Sequence, residues 1–100
     1  MPYSHRLHPL AYQDIIEGYE WYEDQQKGLG EKFALAVEKK IAAILLNPEV
    51  YGSKQRKYFR EALVKPFPYI IVYKLYKEKN EIFISSIHHA KKHPRKKFRR

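Results

Sequence analysis

His88 and His89 stand side by side near the end of the chain, followed closely by Lys91, Lys92, His93 and Arg95. An imidazole titrates near neutrality, so a histidine set among lysines and arginines has the chemistry for proton transfer beside a bound phosphate, as in RNA cleavage. A second basic group, Arg56, Lys57, Arg60 and Lys65, lies some thirty residues earlier. If the intervening strands are adjacent and antiparallel, the two groups line one concave basic surface. The remaining histidines, His5 and His8, add no metal site: none of the five pairs with a carboxylate at a ligand spacing, and successive strand residues such as His88 and His89 point to opposite faces. No metal and no cofactor is expected. The four glycines form no phosphate-binding loop, and with no cysteine a thiol nucleophile, a disulfide framework and cysteine-based metal sites are excluded. The nine tyrosines could stack bases, but their placement fits half-buried surfaces of helix and sheet better.

Charge sharpens this picture. The net charge is +9 over 100 residues, and it is uneven. Residues 1–50 hold five Lys/Arg against eight Asp/Glu; residues 51–100 hold fifteen against three, and the last ten carry seven cations and no acid. Charge concentrated in this way points to a polyanion or a strongly acidic protein partner. No apolar run reaches the ~18 residues of a membrane span, and the N-terminus shows no apolar signal segment, so a cytoplasmic location with no membrane partner is expected.

The elements that must position these residues follow from periodicity. Residues 3–8 alternate, Tyr3, His5 and Leu7 against Ser4, Arg6 and His8, which predicts a short strand. Pro9 opens a helix whose stripe runs Ala11, Ile15, Gly18 or Tyr19, and Tyr22. Gly28 and Gly30 mark a tight link to a second, antiparallel helix with Leu29, Phe33, Val37, Ile41, Ile44 and Leu45 on one side, ended by Asn47-Pro48. After a loop over 49–57 the period switches to two. Tyr58–Val64, with Phe59 and Leu63 on one face, Tyr69–Tyr76 and Ile82–His88 read as strands, joined by Lys65-Pro66-Phe67-Pro68 and the polar turn 77–80. The order is β-α-α-β-β-β: an α+β fold, an antiparallel twisted sheet with a helical hairpin packed on one face. Phe33, Val37, Ile41, Ile44, Ile71, Tyr73 and Ile84 are the expected core, and Trp21 is expected at the seam between helices and sheet. The chain is read as one domain over 1–100 with a basic tail at about 91–100.

Three stretches resemble one family. "YEWYEDQQKGLGEKF" at 19–33, "FREALVKPFPYIIVYKL" at 59–75 and "IFISSIHHAKKHPRKKF" at 82–98 are similar to the motifs of the RelE/ParE superfamily, the small toxins of bacterial type II toxin–antitoxin (plasmid stabilisation) modules. The resemblance implies the same β-α-α-β-β-β fold and a growth-inhibiting toxin neutralised by a cognate acidic antitoxin. RelE-like members cut mRNA on the ribosome with basic residues on the sheet and an aromatic near the C-terminus; ParE-like members poison DNA gyrase and lack that constellation. Here Ile70 stands where RelE-like enzymes place an arginine, Glu61 and Leu63 where they place lysines, and Phe98 where they place a tyrosine. The resemblance therefore leans toward the ParE-like side, with a ribosome-dependent mRNA endonuclease, or a non-toxic nucleic-acid-binding member, as the alternatives. If the chain is an enzyme it is an endoribonuclease with His88 or His89 catalytic. On either reading Arg60, Lys65, Lys91, Lys92 and Arg95 are expected to contact the target, whether gyrase with its DNA or the ribosome with its mRNA.

Overall fold

The computed structural model describes residues 3–52 and 59–91. Six main elements follow in order: β1 (Ser4–Leu7), α1 (Pro9–Gln25), α2 (Leu29–Leu46), β2 (Phe59–Leu63), β3 (Tyr69–Tyr76) and β4 (Glu81–His89), with one 3₁₀ turn at Lys77–Lys79. The expected helical hairpin and meander are both present. The basic tail beyond Lys91, with Lys92, His93, Arg95 and Phe98, lies outside the described residues, as do Arg56, Lys57 and the expected strand start at Tyr58.

Helix α1 begins where its sequence allows. Pro9 occupies the first turn, and the His8 ring accepts the Leu10 N–H through Nδ1 at 3.0 Å, satisfying one of the donors a helix start leaves open. The link to α2 turns at Gly28, whose φ of +89° lies in the left-handed region that other residues enter only with strain. The carboxylate of Glu23 reaches across this link and accepts from the N–H groups of both Gly28 and Gly30 at 2.9 Å. The two helices approach closely at Gly30, where a Cβ would lie 2.7 Å from the Tyr19 carbonyl oxygen, and at Gly18. A Cβ on Gly18 would lie 2.7 Å from the Phe33 ring, so only glycine lets that ring seat against α1.

The sheet order is β1-β4-β3-β2. β2, β3 and β4 pair antiparallel, as a meander of short links must. β1 enters the same sheet on its far edge, and it pairs parallel to β4, with Leu7 opposite Ile84. The sheet is thus mixed, because the helical hairpin carries the chain back over one face before β2 begins. Between Val72 and Tyr73 the β3–β4 register shifts, leaving Ser85 as the extra residue of a bulge.

Alternation along the strands divides the sheet into two faces. The face toward the helices presents Ala62, Val64, Ile71, Tyr73, Ile82, Ile84 and Ile87, which join Ala11, Tyr22, Phe33, Val37 and Ile44 in one core. Six of the seven expected core residues are buried; Ile41 is only partly buried, at the edge of that cluster. Phe59 and Leu63 share the opposite face, where Phe59 is buried and Leu63 is half exposed. Trp21 is the clear departure. It is 57% exposed, because its neighbour Tyr22 takes the inward position on α1 and the next residue is turned about 100° away. Among the described residues no helix is long and apolar enough to cross a membrane.

Candidate functional site

Three elements converge at one end of the sheet. β3 starts there at Tyr69, β4 ends there at His89, and the last turns of α1 pass beside them. Tyr69 lies opposite His89 in the antiparallel register, with ring centroids 5.5 Å apart in an edge-on arrangement. Trp21 and Lys91 complete a cleft of about 320 Å³ around this pair. Beneath it Tyr22, Phe33, Phe67 and Tyr69 form a continuous aromatic cluster, with centroid separations of 4.8–6.0 Å. Burial pushes the Tyr69 phenol above the ordinary tyrosine value, reinforced by the nearby Tyr22, Asp14 and Glu17. Tyr69 therefore stays a neutral phenol at physiological pH.

The two adjacent histidines have different surroundings, as their alternation demands. His89 is half buried and faces the cleft, and its Nδ1 accepts the Lys91 N–H at 3.1 Å. A neutral imidazole that accepts through Nδ1 carries its proton on Nε2. In that tautomer the ring's other nitrogen, Nε2, is a hydrogen-bond donor. His88 lies on the opposite face, opposite Ile70, and is buried, with its Nδ1 3.4 Å from the Ser86 hydroxyl oxygen.

Arg60 stands apart from both. It lies opposite Tyr73, four residues along β3 from Tyr69, a separation of roughly 13 Å at strand rise. Its Nη1 donates to the carbonyls of Tyr51 at 2.5 Å and Glu49 at 3.3 Å, so its guanidinium ties down the loop after α2. Next to it the buried Tyr73 hydroxyl donates to the Pro48 carbonyl at 2.6 Å. Lys65 is exposed in the β2–β3 turn, just past Val64, whose N–H bonds the Tyr69 carbonyl. The structure therefore gathers Lys65, His88, His89 and Lys91 at one end of the sheet and places Arg60 elsewhere. Lys92 and Arg95 lie outside the described residues.

Besides Tyr69, which read only as the start of a strand, two contributors escaped the sequence reading. Trp21 carries the same helical spacing as any core aromatic until Tyr22 is known to point inward. Asp14 is the other. β1 ends opposite Ile84, which leaves the following stretch of β4 without a strand on that side. Asp14 Oδ2 fills the gap by accepting the Ile87 N–H at 3.0 Å, fixing α1 against the end of β4 that carries the histidines. Its position on α1 just before Ile15 was the available signal, since a carboxylate beside a buried stripe often serves a backbone donor.

Residues 6–94 match the family model described as the ParE toxin of the type II toxin–antitoxin system, parDE. The chain belongs to this family. Solved structures share the fold. The chromosomal ParDE system from P. aeruginosa matches with a TM-score of 0.77 and 13% identity over 89% of this chain and 97% of that one. A mutant E. coli toxin RelE in the free state matches with 0.69 and 19% identity over 91% and 86%. The RelBE2 toxin–antitoxin complex from Mycobacterium tuberculosis matches with 0.64 and 18% identity over 89% and 99%. No curated protein sequence matches the chain.

Proposed function

We propose that this chain is a growth-inhibiting toxin that poisons DNA gyrase in the cytoplasm and is held silent by an acidic antitoxin. The observation that carries the gyrase reading is the composition of the sheet face away from the helices. There Glu61 and Leu63 of β2, Ile70 and Val72 of β3 and Ser86 and His88 of β4 occupy the end nearest the cleft, while Lys74 of β3 and Arg6 of β1 stand toward the other end, over the Phe59 and Phe83 rings. Positioned cations are what a phosphodiester-cleaving site needs for the charge that builds on the phosphate. Glu61, Leu63 and Ile70 supply none at the positions where RelE-like enzymes place theirs. The surface then works by binding: Lys65 and Lys91 meet phosphates or carboxylates, and Trp21, Tyr69 and the His89 Nε2–H form a rigid aromatic contact. The match to a ParE family model supports the same side, and the toxin–antitoxin complexes among the structural relatives support an antitoxin partner.

The test is induction in a bacterial host with two readouts taken together. DNA damage without new 5′ ends on cellular mRNA is the expected result. His88, beside Ser86 on the outer face, is the residue on which the rival ribonuclease reading rests. Ribosome-dependent cuts in primer extension that disappear in His88→Ala would replace gyrase with mRNA as the target. Normal growth without damage or cuts would remove the toxin reading for this chain.

A further inference from the structure

Helix α2 buries one side in the core and turns a second, unlike side outward. Between that outer side and the Lys65–Phe67 turn lies a groove of about 650 Å³. Its floor is apolar, with Leu35, Ala36 and Phe67, and Leu35 is 55% exposed although it sits in mid-helix. Its rim is cationic: Lys32, Lys39, Lys40 and Lys65 all line it, and no Asp or Glu does. Among the described residues none of these four lysines forms an ion pair; the Lys40 ammonium lies over the Tyr51 ring at 5.3 Å. Three of the five cations in the otherwise acidic first half of the chain are gathered here.

An apolar floor between cationic edges defines its occupant by complementarity. A nucleic-acid backbone would satisfy the lysines and leave Leu35 and Phe67 in contact with water or phosphate. A helix with apolar side chains at i, i+3, i+4 and i+7 and carboxylates on both flanks satisfies floor and rim together. The groove spans α2 from Leu29 to Ala43, roughly 21 Å, which accommodates about four turns of a docked helix. We propose that this lysine-rimmed groove is the docking site for an acidic amphipathic helix of the partner protein, a surface separate from the His89 cleft. The proposal rests on the antitoxin reading above. It implies that the partner can seat on α2 and leave Trp21, Tyr69, His89 and Lys91 open, sharing with the target-contacting end only Lys65 at the groove's edge.

The test uses the full chain and its cognate antitoxin. Lys32→Glu/Lys39→Glu reverses the rim at exposed positions, and Lys77→Glu/Lys79→Glu makes the same charge change at the remote 3₁₀ turn. The groove variant should bind the antitoxin about tenfold or more weakly, lose much of the salt dependence of binding, and remain toxic while escaping neutralisation. The control should bind as wild type. Leu35→Asp, read beside circular dichroism to establish folding, should weaken binding through the floor. If wild type binds the antitoxin and the groove variant binds it equally well, the docking site is wrong and the antitoxin reading stands. If reversal abolishes nucleic-acid binding and spares the antitoxin, the groove serves a polyanion and the proposal is overturned. If the wild-type chain does not bind the antitoxin, the antitoxin reading fails and the docking proposal fails with it.

Discussion

The two helices of the hairpin have nearly equal lengths, 17 and 18 residues, and meet the same core, yet they show solvent opposite chemistry. α1 carries Asp14, Glu17, Glu20, Glu23 and Asp24 and no Lys or Arg. α2 carries Lys32, Lys39 and Lys40 against Glu31 and Glu38. Their anchoring differs too. α1 holds the sheet with Tyr22 and with a carboxylate on a strand N–H, whereas α2 holds it through Phe33, Val37 and Ile44. The difference teaches that burial constrains only the inward stripe. The outer faces are free to differ, and here one leads to an aromatic cleft and the other to a basic groove, two surfaces suited to two partners.

The largest effect should come from the residue where the helices meet. Phe33 is fully buried and packs on Gly18, Tyr22, Phe67 and Tyr69. Phe33→Ala should cost about 3–5 kcal/mol, read as a fall in the urea midpoint. An unchanged midpoint would show that the hairpin is not held through this ring. The polar anchor of α1 comes next. Asp14→Ala strips the acceptor from the Ile87 N–H and should cost about 1–3 kcal/mol. Glu17→Ala, on the exposed side, should cost little. Hydrogen exchange should show the Ile87 amide losing protection in the first variant alone; equal exchange in both would remove the contrast between carboxylate and apolar anchoring.

The loop that follows α2 offers a smaller effect with a pH signature. The Tyr73 hydroxyl bonds the Pro48 carbonyl, and burial raises its pKa well above the ordinary value near 10, against the opposing pull of Arg60. An acid whose folded pKa is raised contributes stability fully below its unfolded pKa and loses it as pH climbs from there toward the folded value. Stability should therefore decline above about pH 10. Tyr73→Phe should cost about 1 kcal/mol at neutral pH and flatten part of that decline, the remainder belonging to Tyr22 and Tyr69, which burial also raises. Denaturation curves at neutral and alkaline pH in both proteins decide it; parallel alkaline losses would exclude Tyr73 as a contributor.

What the sequence made legible was whatever depends on local period. The α2 stripe, the Tyr69–Tyr76 strand and the opposite facing of His88 and His89 all follow from spacing alone, and the structure holds each of them. What it concealed depends on partners far along the chain. Arg60 looks like a surface cation until the carbonyls of Glu49 and Tyr51 are found beneath its guanidinium. β1 reads as a strand, but its parallel pairing with β4 is a matter of topology. Asp14 looks like part of a wet face until β1 proves too short to cover Ile87. Half of the candidate site was visible for the same reason: His88, His89 and Lys91 sit together in sequence, while Trp21 and Tyr69 join them only through folding.

Trp21 gives the smallest stability change expected and the sharpest use of the comparison. It stands edge-on to Tyr22 at 5.0 Å, exposed at the mouth of the cleft, so most of its surface gains nothing from the fold. Trp21→Ala should move stability by no more than about 0.5 kcal/mol. If the cleft contacts the target, the same change removes its largest apolar surface and should sharply reduce toxicity at equal protein level, since exposed tryptophans anchor interfaces out of proportion to their number. It is also the chain's only tryptophan, so wild-type fluorescence should shift when gyrase is added and should not shift when an antitoxin helix fills the groove on α2. A large loss of stability would return Trp21 to the helix–sheet seam. Full toxicity in a stable Trp21→Ala protein would show that the acidic helix carries no target contact, and would leave the basic surfaces to account for both partners.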